Sequence, residues 1–261
     1  MISQGDWIML WSPNSVELLL INGETKRVPG LGVIDTERFI GKSYGSKTNM
    51  GRESYYLLRP SLRHGPDFIK RGPQIIQPVM TSVMIHQCDI KCGDMVVEGG
   101  AGSGMLSAAL LQAVGTEGRV YTYEIKREHL DIAEGNVKSL GFESSWIPRI
   151  GDVTRDVEER EVDALVVDIP QPWEALNTAV TVLKGGGVFL AYVPTTNQVE
   201  RIYNTLKTHH FEDLESSEIF QRKMVVTDGG VRPSFQSLGH NGYVVRGTKT
   251  ENTQARVDNP A

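Results

Sequence analysis

The sequence predicts an α/β protein, a parallel doubly wound sheet preceded by a small β module. Three observations carry this. From about Pro78 onward, short apolar runs alternate with stretches of helical length. A glycine-rich loop joins the first of those runs to the first helix after it. Before that point, turn residues recur at short intervals and no 3.6-residue period persists. A chain of 261 residues suits one large domain, or one domain plus a small one, at roughly 150 residues per domain.

In the N-terminal module, Trp7–Trp11 and Glu17–Ile21 read as strands, with Asn22-Gly23 as a hairpin turn. Gly30, Gly32, Gly41, Gly45 and Gly51 punctuate further short segments. Thr81–Asp89 reads as a helix leading into the second part. Asp94–Glu98 is a buried strand, followed by the loop EGGAGSG and a small-residue helix over Met105–Val114. Arg119–Glu124 is the second strand and Arg127–Leu140 its helix, each helix closed by a glycine, Gly115 and Gly141. Trp146–Gly151 and Asp163–Asp168 are the third and fourth strands. Trp173–Leu183 is a helix, Gly187–Val193 the fifth strand, and Thr195–His209 a helix opened by a polar cap. Phe211–Phe220 and His240–Lys249 are the last two strands, separated by a polar loop. The expected organisation is residues 1–72 as a β domain, 73–250 as the doubly wound domain, and 251–261 as a polar tail.

Composition narrows the class. No apolar run approaches the roughly 18 residues of a membrane span. The N-terminus lacks a basic stretch followed by an apolar one, so a signal peptide is not expected. Two cysteines, Cys88 and Cys92, are too few for a disulfide scaffold, and four apart with no histidine cluster they do not suggest a metal site. A cytoplasmic protein is expected. The net charge of −5, from 27 Lys+Arg against 32 Asp+Glu, taken alone argues against a nucleic-acid partner. It is unevenly spread. Residues 1–72 hold ten Lys/Arg and seven Asp/Glu, a balance of +3, which leaves −8 for the rest.

The loop carries the chemistry. Glu98 ends the first strand, and Gly100, Gly102 and Gly104 follow it. Glycines allow a tight turn and let a ligand approach the main chain, while the next helix presents free N–H groups. A dinucleotide fingerprint needs a sixth-position glycine where Met105 stands, so a dehydrogenase is a distant reading. Glu124 ends the second strand, where a carboxylate can accept hydrogen bonds from both ribose hydroxyls of an adenosine cofactor. Asp152 follows the third strand and is suited to an adenine amino group. Three acids converging on one crevice disfavour a pyrophosphate. They suit S-adenosylmethionine, a sulfonium cation without phosphate.

The fourth strand ends in Asp168-Ile169-Pro170-Gln171-Pro172-Trp173. Two prolines fix an extended loop after the strand. An acid followed by Pro-x-Pro-aromatic resembles the loop that methyltransferases place against a flat nitrogen-bearing base. The carboxylate accepts from an exocyclic amino group, and the loop carbonyls add acceptors.

In this order the motifs resemble the tRNA (adenine-N1)-methyltransferases of the TrmI family. The resemblance runs through Ile40-Gly41-Lys42 to Gly45-Ser46, Tyr55-Tyr56-Leu57-Leu58-Arg59-Pro60 and Gln74-Ile75-Ile76-x-Pro78. It continues in Val97–Leu106, Tyr123-Glu124-Ile125 with His129, Asp168–Trp173, Arg232-Pro233 and Gly239-His240-x-Gly242-Tyr243. Two positions depart: Gln171 stands where an acid is common, and Asn241 where threonine is.

The resemblance implies a class I S-adenosylmethionine-dependent methyltransferase with a Rossmann-like seven-stranded sheet, acting on adenine-58 in the T loop of tRNA. Some archaeal members also methylate adenine-57. By position, Ser103, Gly104, Met105 and Leu106 hold the methionine part of the cofactor. Glu98, Gly100, Gly102 and Gln74 belong to the same cofactor set. Glu124 binds the ribose, His129 lies at its rim, and Asp152 meets the adenine. Asp168 sits at the methyl-transfer point and is the catalytic residue. Pro170, Trp173 and His240 belong to the substrate side, although His240 is as readily structural. The basic module, with Arg52 and Arg59, is expected to grip tRNA phosphates. The family further implies self-association as a homotetramer, and with no long apolar run in the chain no membrane partner is expected. Two other readings stay open on residues alone. One is a methyltransferase acting on a protein or small molecule, and the other is a non-catalytic RNA-binding subunit.

Overall fold

The computed structural model describes residues 1–70, 72, 74–235 and 239–255. The N-terminal strands are β1 (Trp7–Trp11), β2 (Val16–Leu20), β3 (Thr25–Val28), β4 (Gly32–Asp35), β5 (Lys47–Met50) and β6 (Glu53–Leu58). β2, β1, β6 and β5 form, in that order, an antiparallel sheet, and β3 pairs with β4 in a separate ribbon. Ile8, Leu10, Leu19, Ile21, Phe39 and Leu57 fill the core of this module. Asn22-Gly23 does turn the chain, with Gly23 at φ +77° and the Asn22 Oδ1 accepting from the Glu24 N–H at 3.1 Å. It does not close a hairpin. β2 pairs with β1, through a turn in which the Ser12 Oγ accepts from the Ser15 N–H at 3.1 Å. Asn22-Gly23 instead passes the chain from one sheet to the other.

A short helix α1 (Gly65–Phe68) and helix α2 (Pro78–Gln87) lead into the second part. There follow β7 (Met95–Gly99), α3 (Met105–Val114), β8 (Arg119–Glu124), α4 (Arg127–Leu140), β9 (Trp146–Ile150), β10 (Val162–Val167), α5 (Leu176–Val182), β11 (Leu183–Val193), α6 (Thr196–Thr208), β12 (Glu212–Glu218), β13 (Met224–Thr227), β14 (Gly230–Pro233) and β15 (Tyr243–Thr248). The seven-stranded sheet has the order β12-β15-β11-β10-β7-β8-β9, and β15 alone runs antiparallel to its neighbours. Both faces are covered. Met80, Leu110, Leu111, Leu130 and Val137 pack on one, and Leu176, Val182, Ile202, Leu206 and Phe211 on the other. The strands are buried on both sides, which is why DALVVD and DMVVE read as apolar runs without alternation. β7 lies between β8 and β10, so strand order reverses there and a crevice opens at the carboxyl ends of those strands.

The helix expected over Trp173–Leu183 is a 3₁₀ turn, Pro172–Ala175, followed by α5. The polar loop expected between the last two strands contains the ribbon β13–β14. Asp228-Gly229 forms its two-residue turn, a hairpin signal that stands in the sequence between Met224-Val225-Val226 and Val231 and that the expected polar loop leaves out. Met224 and Pro233 are paired, as are Val226 and Val231, and antiparallel pairing puts these four on one face. That face is exposed, and Phe220 and Phe235 beside it are exposed too. Residues 256–261 of the expected tail lie outside the described residues. No helix among the described residues is long and apolar enough to cross a membrane.

Candidate active site

The glycine loop is held by backbone packing on two sides. Gly100, Gly102 and Gly104 all have positive φ, which glycine alone adopts without strain. A Cβ at Gly100 would lie 2.4 Å from the Asp168 carbonyl oxygen, and one at Gly104 would lie 3.0 Å from the Ala133 Cα of α4. The Asp168 N–H donates to the Gly99 carbonyl at 2.8 Å, fixing the end of β10 against the loop. On the other side, the Asn136 Nδ2 of α4 donates to the Ser103 carbonyl at 2.8 Å and to the Lys70 carbonyl at 3.1 Å. The Lys70 N–H returns a bond to the Asn136 Oδ1 at 2.8 Å. One buried amide thus ties the loop to the chain arriving from the N-terminal module. The side chains of Met105 and Leu106 are buried, so what these residues offer a ligand is their N–H groups at the start of α3.

Glu124 meets this loop. Its Oε2 accepts from the Ala101 N–H at 3.2 Å and its Oε1 from the Lys126 N–H at 2.9 Å. The His129 Nδ1 stands 3.8 Å from Oε2. The loop, Glu124 and His129 are therefore one cluster.

Glu98 does not open into the crevice with them. It is fully buried beneath the loop, where its Oε2 accepts from the Ser107 Oγ at 2.7 Å and the Thr122 Oγ1 at 2.6 Å. The Trp146 Nε1 donates to the same Thr122 hydroxyl at 2.7 Å. Burial pushes the Glu98 carboxyl up to about 8 against the pull of the two hydroxyls, with the charges of Asp168 and Glu124 adding to the rise. Its Oε1 is buried with no protein partner.

Asp152 is turned into its own loop. Its Oδ1 accepts from the Thr154 N–H at 2.9 Å and the Thr154 Oγ1 at 2.7 Å, and its Oδ2 from the Arg155 Nε at 2.9 Å. Partial burial opposes ionisation, but these bonds outweigh it and hold the carboxyl below its ordinary value.

Asp168 stands at the end of β10, half-buried, directly across the loop from Glu124. Withdrawal from solvent, reinforced by the Glu124 charge, pushes its carboxyl up to about 6. The loop after it is buttressed from α6. The Gln198 Nε2 donates to the Pro170 carbonyl at 3.2 Å, and the Arg201 guanidinium lies 3.8 Å over the Trp173 ring. The arginine covers a face of that ring, and the indole N–H is buried without a partner. Trp173 thus supports the loop from behind, and Pro170 and Gln171 are its exposed part.

On β11, the Tyr192 hydroxyl donates to the Asn241 carbonyl. Burial first, and then the Asp168 charge, raise its phenol above the ordinary value. The His240 Nδ1 lies 2.6 Å from the Glu218 Oε1 and its Nε2 lies 2.8 Å from the Pro194 carbonyl. Gln74 is exposed in the chain between the two parts. Arg52 and Arg59 are exposed on the N-terminal sheet, Arg59 stacked 4.1 Å over the Tyr44 ring, and belong to that sheet rather than to the crevice. No sequence pattern singles out Asn136, Tyr192, Gln198, Arg201 or Glu218. Each acts through a contact distant in the chain, and no local spacing announces it. Among the described residues no cluster of His, Cys, Asp or Glu is placed to hold a metal ion.

The donor set fits an adenosine-bearing cation. The loop leaves no room for side chains, and helix N–H groups face its mouth. Two carboxylates, Glu124 and Asp168, flank it, which disfavours a phosphate-bearing ligand.

Residues 65–255 match the family described as the tRNA methyltransferase complex GCD14 subunit. The tRNA (adenine(57)-N(1)/adenine(58)-N(1))-methyltransferase TrmI of Methanocaldococcus jannaschii is 31% identical over 240 residues, covering 82% of this chain and 84% of that protein. The tRNA (adenine(58)-N(1))-methyltransferase TrmI of Thermus thermophilus is 31% identical over 200 residues, covering 76% of this chain and 78% of that protein. Among solved structures, a SAM-dependent O-methyltransferase of Thermotoga maritima superposes with a TM-score of 0.85 at 30% identity, covering 98% of this chain and 96% of that one. The tRNA (m1A58) methyltransferase TrmI of Aquifex aeolicus gives 0.78 at 25% identity, covering 96% and 99%.

Proposed function

The chain belongs to the GCD14 family of tRNA methyltransferases, and from that premise we propose that it methylates N1 of adenine-58 in the T loop of tRNA, with S-adenosylmethionine as donor. The observation that carries the reading is Asp168. An acid of raised pKa at the end of β10 lies with its backbone against the glycine loop and is followed by a rigid proline loop.

S-adenosylmethionine supplies an electrophilic methyl group on a sulfonium. Adenine N1 is unprotonated at neutral pH and its lone pair lies in the ring plane, so no general base is needed. The chain's work is alignment. Asp168 accepts from the N6 amino group and holds the base edge-on to the loop. Its charge offsets the positive charge that develops on the ring as N1 is alkylated. Glu124 and the N–H groups of Met105 and Leu106 hold the two ends of the donor, with His129 at the ribose rim. Glu98 lies beneath, sharing its hydrogen bonds with α3 and β8. Gly102, Ser103 and Gly104 shape the floor, the Asp152 loop lies on the adenine side, and Gln74 completes the cofactor set. The N1 edge is inaccessible in stacked RNA, so the nucleotide must be extruded to reach Asp168.

Arg52 and Arg59 supply phosphate contacts from the N-terminal module, whose sequence-independent grip complements selection by tRNA shape. The homotetramer expected of the family is supported by the exposed apolar face of β13–β14, since a two-stranded ribbon is marginal alone in water. The site of action is the cytoplasm.

The test is incubation of the pure chain with an unmodified tRNA transcript and S-adenosylmethionine, followed by nucleoside mass analysis. 1-Methyladenosine mapped to position 58 supports the proposal, and label at 57 as well identifies a second acceptor. Methyl transfer to protein or to small molecules without 1-methyladenosine overturns it in favour of the alternative substrates.

A further inference from the structure

His240 follows the β13–β14 ribbon and lies at the same sheet edge as Asp168, yet its ring is not free. Both nitrogens face acceptors, the Glu218 carboxylate of β12 at 2.6 Å and the Pro194 carbonyl after β11 at 2.8 Å. A neutral imidazole has one donor and one acceptor nitrogen, whereas an imidazolium has two donors. Only the imidazolium serves both partners while Glu218 stays ionised, so this histidine is unavailable as a base.

The next two residues extend the grip. The Asn241 carbonyl accepts from the Tyr192 hydroxyl. Gly242 has φ +90°, and a Cβ there would lie 2.6 Å from the Tyr192 ring. The turn over residues 240–242 is thus clamped onto the end of β11 and linked to β12. The Tyr243 ring flanks His240 with centroids 4.8 Å apart. The ionisable groups around the imidazole are Glu218 from β12, Tyr192 from β11 and Tyr243 from β15, with Asp168 beyond Tyr192 on β10.

We propose that His240 is a positioning residue: as an imidazolium bridging Glu218 and the Pro194 carbonyl, it pins the turn that seats Tyr192 as a fixed wall of the acceptor pocket beside Asp168. The proposal rests on the tRNA reading for its substrate but not for its geometry. The Glu218 contact, and after it the Pro194 carbonyl, raise the His240 pKa above its ordinary value, so the clamp holds to higher pH than a free imidazole would and loosens as pH rises further.

The experiment compares wild type with His240→Gln, His240→Lys and Glu218→Gln. It measures kcat, KM for tRNA and Kd for S-adenosylmethionine from about pH 6 to 10. His240→Gln, which retains one donor group, is expected to lower kcat about tenfold with the cofactor Kd within about twofold. Glu218→Gln shifts the alkaline fall in kcat to lower pH, and His240→Lys, with its higher pKa, shifts it to higher pH. Nitrogen-15 NMR of wild-type His240 near neutral pH, which needs no variant to fold, is expected to show both ring nitrogens protonated. A neutral ring overturns the proposal, as does an unchanged kcat in His240→Gln or an alkaline limb unmoved by Glu218→Gln. A wild-type chain that makes no 1-methyladenosine sinks the tRNA reading instead, and the NMR result then judges the clamp by itself.

Discussion

A Cβ placed at Gly100 would sit 2.4 Å from a backbone carbonyl, while one placed at Gly41, Gly45 or Gly51 would meet nothing within 4 Å. All four glycines have positive φ. In the N-terminal sheet, glycine serves the turn alone. In the crevice it serves the turn and also lets two backbones touch, so its neighbours dictate it from both sides. The same contrast runs through the charged groups. Glu98, Glu124 and Asp152 are each held by hydrogen bonds from inside the chain. Arg52 and Arg59 stand exposed on the surface of their sheet. One region is over-determined and tolerates little, and the other presents its charges exposed on an open surface. Substitutions can test whether function divides the same way.

The largest effect is expected at Asp168. Asp168→Ala should lower methyl transfer by about 10²–10³-fold or more, the scale seen when an aligned electrostatic partner is removed, while the cofactor still binds. A tritiated-methyl assay alongside a cofactor titration reads both. The pH dependence adds a second check. On the proposed mechanism the carboxylate is the active form, and burial pushes its pKa up to about 6, so kcat/KM should fall as pH drops through about 6 rather than about 4. Near-normal turnover in the variant would dissolve the distinction between the two regions at its centre.

Gly100→Ala comes next. Positive φ alone costs about 1–2 kcal/mol for a residue with a Cβ, and the collision with the Asp168 carbonyl must add to it. Loss of about 2–4 kcal/mol of stability is expected in denaturant unfolding, together with weakened cofactor binding. Gly51→Ala is the matched control, with strain at φ +62° but open space around it, and should lose only the first part. Equal losses would mean that the close approach carries no weight.

The contrast also explains what is legible in the sequence alone. The helices over Met105–Val114 and Arg127–Leu140 and the strands around them follow from periodicity and closing glycines, because buried parallel strands and capped helices leave few local options. The cluster of loop, Glu124 and Asp168 is legible because strand ends at a switch point converge wherever the fold forms. The depth of Glu98 is not, since position at a strand end does not say which face the side chain takes. Asn22-Gly23 carries true turn chemistry without saying which strands pair. Asp228-Gly229, between Met224–Val226 and Val231, is by contrast a legible hairpin signal that the expected polar loop leaves out. His240 is visible as a motif, but its two acceptors come from other strands, and only tertiary contact reveals them.

Glu98→Gln probes the buried side of the comparison through stability. The folded carboxyl stands at about 8 against an ordinary 4.5, so between those values the native chain holds more protons than the unfolded one. Stability is then fully present below about 4.5 and is lost as pH rises through about 8. Without cofactor, wild-type Tm should fall by several degrees more than that of Glu98→Gln as pH is raised across this window. Parallel curves would show that the Glu98 proton is not coupled to folding.

The smallest effect is expected on the open side, and it is the one that decides whether charge is all that side contributes. Arg52→Glu with Arg59→Glu should leave the fold and cofactor binding intact, because both residues are exposed. It should weaken tRNA binding, measured by filter retention over a salt series. Removing one arginine–phosphate pair reduces the slope of log K against log salt by roughly 0.7–0.9, so removing both should reduce it by about 1.4–1.8. Arg59→Lys separates charge from stacking. It keeps the cation but gives up the guanidinium held 4.1 Å over Tyr44, so a retained slope with weaker binding would show that Tyr44 orients the charge. A slope unchanged in the double variant would return both arginines to ordinary solvated surface. The phosphate contacts would then have to come from other cations, with Arg222, Lys223 and Arg232 on and beside the β13–β14 ribbon the next to test.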